Sequence, residues 1–206
     1  LGTRIEGHIE RRKGFVITTD YVGPDRRRDV ERPADGEMFD PPNSLKMKAK
    51  DKMSADIIAK KLDMELQVAR TKLAGEKLRR DSFQVCILWR LLQEERPDMP
   101  QFQADIIKLG NLTRAIERRC ADAGQEKALE HCNSILAATE GLKNGGDYSA
   151  TMSPLGAAAL GLHQLICPEK SPADQLNEID ATVAIIRARS QATALGYMNA
   201  LRARAY

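Results

Sequence analysis

Histidine and cysteine are the side chains here most able to hold a metal or attack a substrate, and the chain has three of the first and four of the second. His131 is followed directly by Cys132, and His163 stands one helical turn before Cys167, with Cys120 the nearest further thiol in sequence. A structural zinc site needs donors in close pairs such as CxxC or HxxxH, and no such pair occurs. No metal and no cofactor are therefore expected. His163 lies on the edge of an apolar stripe and reads as a core residue. The four cysteines, each within an apolar helical pattern, read as reduced core residues. Covalent catalysis would need a serine or cysteine beside a positioned histidine on a polar, glycine-rich turn, and none is present. Gly145-Gly146 has neither the preceding strand nor the following lysine of a phosphate-cradling loop. No enzymatic activity is expected. One alternative stays open: His131 on a bundle helix could accept a phosphoryl group, although its surroundings, EHCNSILAATEG, lack the lysine-glycine pair that leaves room for a docking partner.

The other chemically dense stretch is FVITTDYVGPDRRRDVERP, Phe15 to Pro33. Gly23-Pro24-Asp25 predicts a turn, after which Arg26, Arg27 and Arg28 present three guanidinium forks suited to carboxylates or phosphates. Besides a third option, nucleic-acid binding through the basic linker with a steep salt dependence, two readings are open. The arm is either solvated, its arginines paired with Asp25, Asp29 and Glu31, or a docking arm whose contacts are Tyr21, Asp25, Arg26, Arg27 and Arg28.

These groups need a scaffold, and hydropathy patterning says which. Aromatic residues are 4% of the 206 and no sustained period-two run of Val or Thr occurs, so helices are favoured over strands. The expected fold is an all-α helical bundle preceded by an irregular basic linker. Leu1, Ile5 and Ile9 mark an amphipathic helix over 1–13. Residues 14–53, with Phe15 to Thr19 extended and Pro24, Pro33, Pro41 and Pro42 among scattered charge, predict a linker too poor in apolar groups for a core. The bundle is expected over 54–206. Its first helix is capped by Ser54 and striped by Ile58, Leu62, Leu66, Ala69 and Leu73. A second, Phe83 to Leu92, is apolar nearly all round and ends before Pro97 and Pro100. A third closes near Gly124 and a fourth at Gly145-Gly146. A short Ala- and Gly-rich helix opens at Ser153-Pro154 and ends at Cys167, its small residues allowing close helix approach. Ser171-Pro172 with Asp174 starts the last, which reaches about Arg204.

Thirty-two basic against 29 acidic residues leave a net charge of +3, too small to imply nucleic acid as a partner. The lysines and arginines of the first bundle helix, from Lys60 and Lys61 to Arg79 and Arg80, are interspersed with acids and read as solvated surface. No run approaches the ~18 apolar residues of a membrane span, and a cytoplasmic location is expected.

The matching positions Phe15, Val16, Tyr21, Gly23, Pro24, Asp25, Arg26, Arg27 and Arg28 resemble the arginine-rich tail that follows the receiver domain in many alphaproteobacterial response regulators. The resemblance covers about the first thirty residues. It implies that residues 1–13 are the end of a receiver-like domain and that the phosphoacceptor aspartate lies upstream of Leu1. It also implies that the helices are an output module working by contact with a protein partner in a signalling pathway. Self-association through the long helix after Ser54 is left open. Arg28 and Arg32 have the spacing of the arginine pair in cyclic-dinucleotide readers of the PilZ type, but the β-barrel and companion motif of that family are absent.

Overall fold

The computed structural model describes residues 7, 14–17, 22–24, 37–39 and 43–204, with side chains placed over 43–193. The expected helix over 1–13 lies outside the described residues except at Gly7. The described residues divide into two units, Leu1–Lys77 and Leu78–Tyr206.

The first unit corrects the expectation of an irregular linker. Three short strands, β1 (Phe15–Ile17), β2 (Val22–Pro24) and β3 (Glu37–Phe39), form an antiparallel sheet in the order β2-β1-β3. Phe15 stands opposite both Pro24 and Phe39, and Ile17 opposite both Val22 and Glu37. Gly23 and Pro24, expected in a turn, are thus strand residues. Proline has no N–H for a ladder, so it is confined to edges, and β2 is an edge strand. Helix α1 (Ser44–Ala49) follows, its N-terminus capped by Asn43, whose Oδ1 accepts from Lys46 N–H at 3.0 Å.

Helix α2 (Ala55–Leu92) is continuous where two helices were expected. Asp81 and Ser82 interrupt the apolar pattern, but neither breaks a helix when its polar atoms find partners. Ser82 Oγ donates to Arg79 O at 2.9 Å, and Asp81 meets Arg119 and Arg80. The chain turns at Arg96–Met99 into α3 (Pro100–Asp122), which starts with proline at its first helical position, where a missing N–H costs nothing. Gly124, at φ +66°, ends α3 and leads into α4 (Glu126–Lys143); Gly145, at φ +78°, follows α4. Both glycines take the left-handed conformation that other residues resist.

Helix α5 (Tyr148–Ile166) begins a turn and a half before the expected Ser153-Pro154 start, so that Pro154 lies inside it. Two contacts hold this early turn. Asp147 caps it by accepting from Ala150 N–H at 3.2 Å, and the Tyr148 hydroxyl donates to Leu92 O at 2.7 Å. The last helix, α6 (Pro172–Arg204), keeps the expected bounds, with Ser171 Oγ accepting from Asp174 N–H at 3.2 Å.

The second unit is the expected all-α bundle. Its core is read from period 3.6: Val85, Leu88 and Leu92 on α2; Phe102, Ile106, Leu109 and Ile116 on α3; Cys132 and Ile135 on α4; Leu155, Ala159 and Leu162 on α5; Ile179 and Val183 on α6. Helix α3 packs on α4 and α4 on α5. The small residues of α5 do what their composition suggests. At Gly156 the Trp89 indole occupies the space a Cβ would take, and at Gly161 the His131 ring does the same. No helix among the described residues is long and apolar enough to cross a membrane.

Candidate contact groove

The residues that sequence reasoning marked for chemistry are mostly committed to the interior. His163, 4% exposed, has Nδ1 2.9 Å from Ser82 Oγ and its ring against Phe83. The serine has one proton and gives it to Arg79 O, so Nδ1–H is the donor and Ser82 Oγ the acceptor. Burial holds the His163 imidazole below its usual pKa, which favours the neutral ring. Ser82 and His163 therefore satisfy each other in the core, with no open face for a substrate.

The four cysteines are free and buried. Burial pushes the Cys86 and Cys132 thiols up to about 12, and Cys120 upward as well, which disfavours the thiolate that nucleophilic attack requires. Among the described residues no three His, Cys, Asp or Glu side chains gather as a metal site. His131 is half-buried, its ring lodged against Gly161. Tyr21, Asp25, Arg26, Arg27 and Arg28, the expected docking contacts, lie outside the described residues.

At the α2–α3 turn two acids meet. Glu95 lies beside Asp105, which is 7% exposed and accepts from Gln101 Nε2 at 2.9 Å; Glu95 Oε2 is buried with no partner among the described residues. Burial first, then the charge of Asp105 and the hydrogen bond to it, holds Glu95 above its usual pKa. A carboxyl whose folded pKa is raised favours the fold while protonated. That contribution is complete below the ordinary glutamate pKa of 4.5 and is lost as pH rises through the folded pKa, so at neutral pH the ionised Glu95 is a cost. Glu95→Gln keeps a donor for Asp105 without the charge. The variant is expected to melt higher than the parent at pH 7 and to show a flatter stability profile above pH 4.5. Melts across that range in constant ionic strength check this, and an unchanged profile would refute it.

One open feature of the second unit is a shallow groove of about 540 Å³ between α2 and α3. Arg80, Asp81 and Gln84 line it from α2, and Ile107, Lys108 and Arg119 from α3, with Ala104 and Ala115 leaving the α3 side low. Asp81, 3% exposed, sits at its base. Arg119 Nη1 reaches Asp81 Oδ2 at 2.6 Å and Arg80 Nη2 reaches Oδ1 at 3.2 Å, so both guanidinium groups are pinned at the groove wall. Ile107 is 50% exposed beside Lys108. Its lining thus holds three cations and one anion together with Ala104, Ile107, Leu112 and Ala115.

The sequence pattern puts Arg80 on solvated surface and Ile107 on the apolar stripe of the third bundle helix, where the structure leaves it half-exposed, and it gives no role to Asp81, Lys108 and Arg119. A signal for Asp81 was available: it falls in register with Leu78, Val85 and Leu88 on the apolar stripe, and an acid there requires a basic partner from another element. Nothing in one sequence names that partner, because Arg114, Arg118 and Arg119 offer it equally.

No protein-family model, no curated protein and no solved structure matches the chain.

Proposed function

We propose that this chain is the output module of a two-component response regulator and that it acts by protein–protein contact. The observation that carries the reading is the disposition of its reactive groups. Ser82, His163 and the cysteines are spent on internal packing, whereas the α2–α3 groove is open and lined by charged side chains held in place. A rigid charged groove on a helical scaffold suits recognition of another protein. The YxGPDRRR string adds the class of pathway. Phosphorylation of the receiver would change which face of the bundle a partner meets.

The test is made on the full-length gene product. Its coding sequence upstream of Leu1 is expected to encode a receiver with a phosphoacceptor aspartate, and acetyl phosphate is expected to label that domain. A different upstream domain, or one that takes no phosphate, would overturn the reading. The alternative, phosphotransfer through His131, is separated on the same sample. If His131→Gln removes acid-labile phosphate from the helical region, the module is a transfer intermediate. The half-buried ring against Gly161 favours no such loss.

A further inference from the structure

The corner between α5 and α6 is built around a buried histidine. His163 stands in the last turn of α5 and is 4% exposed, its ring against Phe83 and its Nδ1–H bonded to Ser82 Oγ of α2 at 2.9 Å. Two ion pairs lie about it: Arg79 of α2 with Glu169 of the connection, and Lys170 of the connection with Glu178 of α6 at 2.5 Å. We propose that this corner is a proton-released latch: a second proton on His163 unseats the ring, and the chain from Leu162 to Gln175 loosens from α2 while the rest of the bundle holds.

The Nδ1–H is already engaged, so an added proton goes to Nε2, which no described side chain bonds. The imidazolium is then a buried cation, and such a charge is costly unless it is paired and hydrogen-bonded. The surrounding charges do not supply that pairing. Glu178 and Glu169 draw the proton while Lys170 and Arg79 repel it, and each carboxylate is engaged by one of the two cations. Cys86 of α2 and Cys167 at the end of α5 flank the same faces. Burial therefore decides, and it holds the ring below the ordinary histidine pKa of 6.5. The closed corner bears no proton-linked cost above pH 6.5 and loses stability as pH falls below it.

The loss is local because the other ties of this corner are weak. The two ion pairs keep 43–47% side-chain exposure, and exposed pairs contribute little. Gln175 Nε2 donates to Cys167 O at 2.8 Å and Gln164 Nε2 to Lys170 O at 3.1 Å, but Gln164 Oε1 is buried with no partner among the described residues. A helix end so held opens more readily than the helix interiors of the core. His163 is the one buried histidine among the described residues, and histidine is the side chain that changes charge between pH 5 and 8. Glu95, past the end of α2, has the opposite sign: acid favours the fold there, so a fall in pH does not loosen the α2–α3 turn.

The experiment is thiol labelling of the full chain with 2,2′-dithiodipyridine, a disulfide reagent that its own protonation keeps reactive in acid, at constant ionic strength. Mass spectrometry resolves the cysteines, with Cys167 at the corner as reporter and Cys120, buried on α3, as reference in the same sample. Opening linked to one proton rises by up to about tenfold per pH unit, so the ratio of Cys167 to Cys120 labelling should rise about threefold to tenfold between pH 7 and pH 5.5. In His163→Gln, which keeps a donor for Ser82 and takes no proton, the ratio should stay flat, and in His163→Phe as well. An unchanged ratio in the parent, a rise in all four thiols together, or an acid rise that persists in either variant would each overturn the proposal. Should neither variant fold, the parent decides. Its His163 Cε1–H resonance should titrate below pH 6.5 together with amide shifts confined to Leu162–Gln175. Titration at or above pH 6.5, or amide changes spread over α3 and α4, would overturn the latch.

Discussion

Replacing Gly156 by alanine is expected to destabilise the bundle by about 2 kcal/mol, although alanine is the better helix former. A Cβ built at Gly156 falls 2.3 Å from Trp89 Cζ2 and 2.4 Å from Cε2, so the indole must move. It is held on two sides: Nε1 donates to Met152 O at 3.2 Å, and the ring is 7% exposed within the core. Overpacking of this kind costs about 3 kcal/mol at the upper end of its usual range. Exchanging glycine for alanine inside a helix returns about 1 kcal/mol. The clash wins. Denaturant unfolding should show the loss, equivalent to a fall in Tm of roughly 4–8 °C for a domain of this size. Trp89 is the single tryptophan, so its emission reports directly and should shift to longer wavelength as the indole is displaced. Trp89→Phe removes the obstructing half of the ring, and in that background Gly156→Ala should cost much less. Equal costs in both backgrounds would show that the helices do not meet at this point.

Asp81→Ala is expected to cost about 2–3 kcal/mol. The carboxylate is 3% exposed and joins Arg119 and Arg80, and losing one member of a buried ion pair costs about 3–5 kcal/mol because the other charge is left without compensation. The two arginines keep 24% and 34% of their side-chain exposure, so water recovers part of that cost. Arg119→Leu should be milder, since Arg80 still faces Asp81 and leucine covers the same apolar stem. If Asp81→Ala and Asp81→Ala/Arg119→Leu were equally unstable, the cost would not come from an uncompensated guanidinium group. The groove depends on the same triad.

Much of the helical architecture was legible from residue order. The last helix could be bounded from Ser171-Pro172 and Asp174, because capping and the fixed φ of proline act within one turn. The glycine stops after α3 and α4 were legible for the same reason, and the left-handed φ at Gly124 and Gly145 is the backbone state that glycine favours. The early start of α5 was not. Tyr148 is helical because its hydroxyl reaches Leu92 O, 56 residues away, and local propensity carries no record of that bond. Residues 15–39 misled for a related reason: proline and charge argue against a core, but a three-stranded ladder of three-residue strands needs only backbone pairing and an edge position for Pro24. For the site, composition showed correctly that His163 and the cysteines belong to the interior. It could not show the groove, whose residues come from α2 and α3 and are ordinary surface side chains until the helices are set side by side.

What period, caps and turn residues decide is local and lies within a few residues of its cause: helical class, the order of the bundle helices and most of the stripe each buries, though Leu66 and Ile107 stay 43% and 50% exposed. Which arginine meets Asp81, where Trp89 finds a gap and whether Ile107 faces water are decided by pairs far apart in the chain. Such pairs follow from how the helices are packed, and the energy of a buried charge or a filled gap exists only once that packing is made.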